Sequence, residues 1–332
     1  MRALVTGGAG FIGSHLVARL LSEGHEVVVL DNLSTGRREN LSHAWGSDRL
    51  RFHQVDVAEP KSIGGLFQGI DWVFHLAALA DIVPSIASPL EYHRSNVDGT
   101  VSVLEASRRA GVKRFVYAAS STCYGFPKIF PTPETAEIQP RHPYALTKHI
   151  GEEYVLHWGK VYRLPVLSLR LFNIYGPRSR TSVAYGAAFG VFLAQKLHGR
   201  PFTVVGDGTQ SRDFVFVSDA VEAIAMAAAS DLTQEALNVG SGQTYTVNRL
   251  LELLGGERVH LPKRPGEPDR THADISKIRR LLGWEPRVSL QEGVRALLEN
   301  IECWGEAPLW TPEAITEATR EWFRYLAEEP CA

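Results

Sequence analysis

No stretch of this sequence reaches the roughly 18 uninterrupted apolar residues of a membrane-spanning helix. The opening Met1-Arg2-Ala3-Leu4-Val5 runs straight into glycine-rich sequence, without the apolar core or small-residue cleavage site of a secretion signal. Cysteine is scarce. Cys123, Cys303 and Cys331 are odd in number, scattered and without CxxC spacing, which argues against a disulfide framework and against structural zinc. No metal is expected, and a reducing cytoplasm fits. An excess of one charge is missing too: 35 Lys and Arg face 37 Asp and Glu, so no global field recruits nucleic acid or an anionic membrane surface. Any basic site must be local. Internal repeats and low-complexity tracts are also absent.

What remains is an ordinary globular composition, 44% apolar and 22% charged over 332 residues, enough for one large core and a smaller second one. The first half alternates short apolar runs with helical periodicity, the pattern of a parallel sheet covered by helices on both faces. It predicts strands at Arg2–Thr6, Glu26–Asp31, Leu50–Val55, Trp72–Ala77, Arg114–Ser120 and Val166–Leu171. Phe11, Ile12, Leu16 and Leu20 recur at helical spacing between the first two, and Gly24 stands where a helix end favours a left-handed residue. The expected fold is therefore α/β, a Rossmann-type doubly wound parallel sheet in residues 1–176. From Pro177 the pattern loosens, and a smaller, discontinuous substrate domain is expected in 177–332, with helices at Tyr245–Leu254, Asp274–Leu282 and Ser289–Ile301. A strand at Asp213–Val217 and an Ala-rich helix at Asp219–Ala229 read as a return to the main sheet within 213–240. Ile315, Ala318, Trp322 and Leu326 share one face of a terminal packing helix.

Thr6-Gly7-Gly8-Ala9-Gly10-Phe11-Ile12-Gly13 follows the first strand and opens the first helix, so backbone N–H groups and the helix dipole face an incoming pyrophosphate. Gly7 permits the tight turn, Gly10 the approach of phosphate to backbone, and Gly13 the close packing of helix on strand. Asp31, followed by Asn32, ends the second strand, where a carboxylate accepts hydrogen bonds from ribose hydroxyls and repels a 2′-phosphate. This favours NAD over NADP, although Arg37 and Arg38 lie just downstream. Asp56, followed by Val57, either holds the adenine edge or forms a turn.

Tyr144-Ala145-Leu146-Thr147-Lys148 places a phenol and an ammonium one helical turn apart on one face. A free phenol ionises near pH 10. A neighbouring Lys cation is expected to lower that value and make Tyr144 a general base. Upstream, the strand ending Ala118-Ala119-Ser120-Ser121-Thr122-Cys123-Tyr124-Gly125 offers Ser120 and Thr122 hydroxyls to a reacting oxygen, or else to the capping of a turn.

Together, Gly7-x-x-Gly10-x-x-Gly13, Asp31, the Ser120 strand end and Tyr144-x-x-x-Lys148 resemble the extended short-chain dehydrogenase/reductases, in particular the nucleotide-sugar epimerase/dehydratase family, over nearly the whole chain. The resemblance implies a cofactor-lining turn at Leu76-Ala77-Ala78, a cofactor-site Asn96, and Asn173 on the sugar diphosphate. It also implies a diphosphate clamp of Arg212 and Arg264 with Glu267 on the nucleotide ribose, and a homodimer through helices around Pro89–Ala110 and His149–Tyr162. The physics of the clamp agrees, since guanidiniums offer bidentate, charge-assisted bonds to phosphate.

Relatives in that family share oxidation at sugar carbon 4 and differ in the fate of the 4-keto intermediate. Dehydratases carry an Asp-Glu pair just after the strand-end hydroxyl residue, and decarboxylases a Glu. Here those positions hold Ser121 and Thr122. Simple return of the hydride to the opposite face remains: 4-epimerisation of a UDP-glucose or UDP-N-acetylglucosamine type of substrate, with the small Thr271 leaving room for an N-acetyl group. A dehydratase, decarboxylase or reductase is the alternative reaction, and a non-catalytic NAD-sensing module the alternative of another class. Cys123 reads as a buried thiol or, with a register slip, as an acid. His142 reads as a neutral rim residue or as a second base.

Overall fold

The structure, a computed structural model, describes residues 1–179 and 188–327; Cys331 lies outside them. Six strands follow the apolar runs closely: β1 Arg2–Thr6, β2 Glu26–Asp31, β3 Leu50–Gln54, β4 Trp72–His75, β5 Arg114–Ser120 and β6 Val166–Leu171. With the strand Glu235–Val239 they form one seven-stranded sheet in the order Glu235–Val239, β6, β5, β4, β1, β2, β3. All neighbours are parallel. Chain order reverses between β1 and β4, and the crevice at that reversal is where open parallel sheets take their ligands.

Both faces of the sheet are covered, as a fully parallel sheet requires. The helices Phe11–Ser22 and Val217–Ala229 bury Leu16, Leu20, Ala220 and Ile224 against one face. Gly99–Ala110 and Pro143–Tyr162 bury Val103, Leu104 and Val155 against the other. Gly24 takes its left-handed conformation at φ 84° just beyond the first helix. A further core gathers Tyr175, Phe189, Phe192, Phe202, Leu250, Leu297, Trp304 and Ile315.

The return to the sheet differs from expectation. Among the described residues, Phe214–Phe216 pairs only with Asn173–Tyr175, in a separate two-stranded ribbon; the strand that joins β6 is Glu235–Val239. Alternating apolar residues mark both segments as strands but do not say which edge each finds. Helix starts move by one to two residues because polar caps define them. Thr246 accepts from Arg249 N at 3.0 Å, and Ser289 forms a reciprocal capping box with Glu292. The terminal segment is two helices, Pro312–Ala318 and Arg320–Leu326, interrupted at Thr319. Among the described residues, no helix is long and apolar enough to cross a membrane.

Behind the carboxyl edge of the sheet lies a buried polar knot. Glu152 receives Arg170 Nη2 at 2.7 Å and Nε at 3.0 Å, and Ser168 Oγ at 2.6 Å. Arg170 also reaches the Tyr124 hydroxyl, which in turn donates to Asn238 Oδ1 at 2.7 Å. Removing one partner of such a pair strands a buried charge. The substitution Arg170→Met should therefore cost about 3–5 kcal/mol of folding stability, measured by denaturant unfolding; a loss below about 1 kcal/mol would contradict this account.

Candidate active site

A cavity of about 800 Å³ opens at the reversal between β1 and β4. Its floor is the glycine loop. Gly7 holds φ 68°, and its N–H donates to Leu30 O at 2.8 Å. A Cβ on Gly7 would come 2.8 Å from Ala77 N, and one on Gly13 only 2.1 Å from Gly7 O. Gly7 can thus lie flush against the β4 turn, and the first helix close on the loop at Gly13, only with hydrogens at these positions. The Phe11–Ser22 helix starts here with no acidic residue in its first turn, so its free N–H groups and dipole favour an anion. This is the cradle a dinucleotide pyrophosphate needs.

Gly7, Gly10, Phe11, Ile12, Gly13, Asp31, Asn32, Asp56, Val57, Leu76, Ala77 and Ala78 all line the cavity. Asp31 accepts Ala9 N at 2.9 Å and Leu33 N at 2.8 Å, which leaves other lone-pair positions of the carboxylate for a ligand. Burial pushes its pKa up against those two bonds. Asp56 takes the turn-forming alternative: it accepts Ala58 N at 2.9 Å and pairs with Arg94 at 2.8 Å. Asn96 does not line the cavity. Buried to 1% exposure, it exchanges hydrogen bonds with the Leu79 backbone and donates to Thr147 Oγ1 at 3.0 Å. It ties the β4 turn to the Tyr144–Lys148 helix, a supporting part that a pattern of lining residues does not reveal.

The reactive residues meet where β5 ends and the Pro143–Tyr162 helix begins. Ser120 and Thr122 hydroxyls lie 2.9 Å apart, and Ser120 Oγ also caps the following turn by accepting Thr122 N. Burial pushes the Tyr144 phenol up and its hydrogen bond with Ser120 pulls it down, while Asp81 and Cys123 push it up again. Lys148 Nζ sits 4.3 Å from the Tyr117 ring centroid. Burial pushes it down to about 7 despite the opposing pull of Glu152. Desolvation, which spacing does not show, is the largest influence on the Tyr144 phenol and works against the lowering expected from Lys148. Thr122 lines the cavity, whereas Ser120, Tyr144 and Lys148 are not among its lining residues. Cys123 is 2% exposed, and burial pushes its thiol up to about 12, in keeping with the buried, inert reading. His142 lines the cavity, but its Nδ1 accepts Ala145 N at 3.2 Å and burial pushes it down to about 4. It is a neutral helix cap.

At the far end, Arg212, Arg264 and Glu267 come together on the cavity wall. Glu267 does not stand free for a ribose: Oε1 accepts Arg212 Nη2 at 2.7 Å, and Oε2 lies 3.8 Å from Arg264 Nη1. One carboxylate aligns both guanidiniums. Asn173 Oδ1 accepts the Thr271 hydroxyl at 3.0 Å, which leaves its amide N–H₂ for other partners. Thr271 Oγ1 also accepts Asp213 N at 3.0 Å.

The model of the NAD dependent epimerase/dehydratase family matches residues 3–240. The chain belongs to this family. It is 38% identical over 307 residues to a UDP-glucose 4-epimerase from Mycolicibacterium smegmatis, covering 90% of this chain and 98% of the relative. A solved UDP-glucose 4-epimerase from Thermotoga maritima, with UDP-glucose, superposes at a TM-score of 0.85 with 35% identity, covering 91% and 99% of the two chains. A UDP-glucuronic acid 4-epimerase from Bacillus cereus, with UDP-glucuronic acid and NAD, gives a TM-score of 0.85 at 32% identity, covering 91% and 99%. The cofactor is NAD, and the chain is an enzyme of this NAD-dependent family.

Asp81 and Trp322 line the cavity without belonging to any catalytic or binding motif read from the sequence. Only the fold carries them there.

Two outcomes are expected. Gly13→Ala should lose bound NAD, read from the absorbance of the protein-free extract, because its methyl group meets the Gly7 carbonyl; retention of a full complement would refute the cradle. Lys148 in the folded chain takes up its proton only below about pH 7, against ~10.4 when unfolded. The unfolded chain binds more protons between these values, so stability should rise with pH across that window. Lys148→Met should flatten that rise in pH-dependent unfolding.

Proposed function

We propose that this enzyme epimerises carbon 4 of a UDP-sugar. The observation that carries the reading is the hydroxyl character of the strand end beside Tyr144. Ser121 and Thr122 line the cavity where elimination or decarboxylation would call for a carboxylate. Reversal of configuration needs only a proton and a hydride withdrawn and returned, with room for the sugar to turn between.

When bound, NAD supplies the reversible hydride acceptor. Gly7, Gly10 and Gly13 would hold its pyrophosphate and Asp31 its ribose, each carried by the geometry of the cradle. The chain's own groups move the proton. Tyr144 takes it from the 4-hydroxyl, with the Ser120 hydroxyl aligning the same oxygen. In its protonated form Lys148 favours the phenolate, as would positive charge on the bound cofactor. Arg212 and Arg264, aligned by Glu267, take the diphosphate. A tightly held diphosphate and a loosely held sugar are what a rotating ketone requires.

A dehydratase or decarboxylase is the second reading, favoured by Asp81, whose charge reaches the Tyr144 phenol. We further infer a cytoplasmic homodimer, supported by the exposed Leu90, Leu146, Val161 and Tyr162 on the helices at 89–93 and 143–162.

Incubation with UDP-glucose, UDP-N-acetylglucosamine and the corresponding uronic acids, resolved by mass spectrometry and NMR, tests the proposal. A galacto-configured product of unchanged mass is expected without added cofactor. Loss of water or carbon dioxide would select the second reading. Tyr144→Phe should keep NAD and lose turnover by at least about two orders of magnitude; undiminished turnover would remove the assigned base.

A further inference from the structure

One side chain on the cavity wall comes from outside every motif. Trp322, on the Arg320–Leu326 helix, is 3% exposed yet lines the cavity. Its indole N–H donates to Pro265 O at 2.6 Å, which satisfies the ring's one polar atom and fixes its plane beside the loop carrying Arg264 and Glu267. Its centroid lies 6.2 Å from that of His142. The His142 ring in turn stacks on Tyr144 at 6.0 Å, with only 3° between the planes. An aromatic row thus runs from the reactive phenol along the wall to the mouth of the arginine clamp.

The support of this residue is firm. Ile315, on the preceding helix, is 2% exposed in the aromatic core of the substrate-side lobe, and Leu326 packs on Gly266. The Trp322 helix also packs against the Ile82–Ala87 helix, whose Ile82 and Val83 line the same cavity. A tryptophan whose N–H is already bonded and that is 3% exposed offers the cavity only a narrow apolar edge. A pyranose presents the matching surface, a patch of C–H groups between its hydroxyls. The hydroxyl partners Asn173 and Thr271 line the same space.

We propose that Trp322 is a specificity-determining residue of the sugar subsite, a fixed apolar wall that bounds the space open to the hexose of a nucleotide sugar. The inference rests on the nucleotide-sugar reading above. A rigid wall here limits the substituents that clear the cavity while the ring turns, and its loss should loosen the hold on the sugar while sparing the nucleotide.

Titration calorimetry of the NAD-loaded protein with UDP and with UDP-glucose tests this, on wild type, Trp322→Ala and Trp322→Phe. Trp322→Ala should weaken UDP-glucose by about tenfold and leave UDP within about twofold, as loss of an apolar wall contact implies. Trp322→Phe removes the N–H but keeps a ring, and should bind UDP-glucose within about threefold of wild type. Parallel weakening of UDP and UDP-glucose in Trp322→Ala would mean that the residue serves only the arginine loop, and would overturn the proposal. So would a Phe variant as weak as the Ala variant. A wild type that binds UDP-glucose while Trp322→Ala binds it equally well defeats this inference alone. A wild type that binds neither ligand defeats the nucleotide-sugar reading and this one with it.

Discussion

The close packing of the glycine loop on the β4 turn is the constraint from which the rest of the site takes its position. Gly7 and Gly13 lie where a methyl group would strike backbone atoms at 2.8 and 2.1 Å. That contact brings the first helix against β1 and sets its open N–H groups at the reversal point of the sheet. It also fixes Leu76, Ala77 and Ala78 as the opposite wall. Asn96 extends the same geometry sideways: by bonding Leu79 and Thr147 together it registers the cofactor wall against the helix that carries Tyr144 and Lys148. One backbone contact and one amide therefore relate the two halves of the chemistry.

Electrostatics in the reactive corner arises from burial rather than from sequence neighbours. Lys148 is 4% exposed and titrates near neutrality, so its charge responds to whatever enters the site. Glu152, one turn further along the helix, favours that charge but is itself committed to Arg170 at 2.7 Å. The network acts as a buried counter-charge held at a distance. A free carboxylate closer to Lys148 would lock it as a permanent ion pair and remove that response.

The strands were legible because a parallel sheet buried on both faces needs continuous apolar runs, and those runs are present with β-branched residues in them. The glycine cradle was legible because only glycine meets its steric demand, and Tyr144 and Lys148 because helical spacing fixes their relation. The features that stayed hidden depend on three-dimensional competition for groups. Asp56 reads either as an adenine contact or as a turn former and Glu267 as a ribose contact; the spacing does not show that each also pairs with a guanidinium. Asn96 reads as a contact residue and proves to be a tie between elements. The Asp213–Val217 segment has the alternation of a sheet strand, yet Asn173–Tyr175 intercepts it as a partner. In each case the residue type was informative and the partner was not.

The arrangement divides binding from reaction along the length of the cavity. Charged, bidentate groups are concentrated at the arginine end, where Glu267 holds two guanidiniums ready and so reduces the entropy lost when a diphosphate arrives. Toward Tyr144 the wall is mainly hydroxyls, a neutral imidazole and an indole, with Asp81 as a charged exception. Binding energy gathered at the first end can therefore hold the molecule while the second end permits the ring to change its presented face. A site with strong, directional bonds to every hydroxyl would stabilise one orientation of the sugar and slow the other. For the proposed reaction, the small number of strong bonds around the sugar would be as much a catalytic feature as the phenol itself.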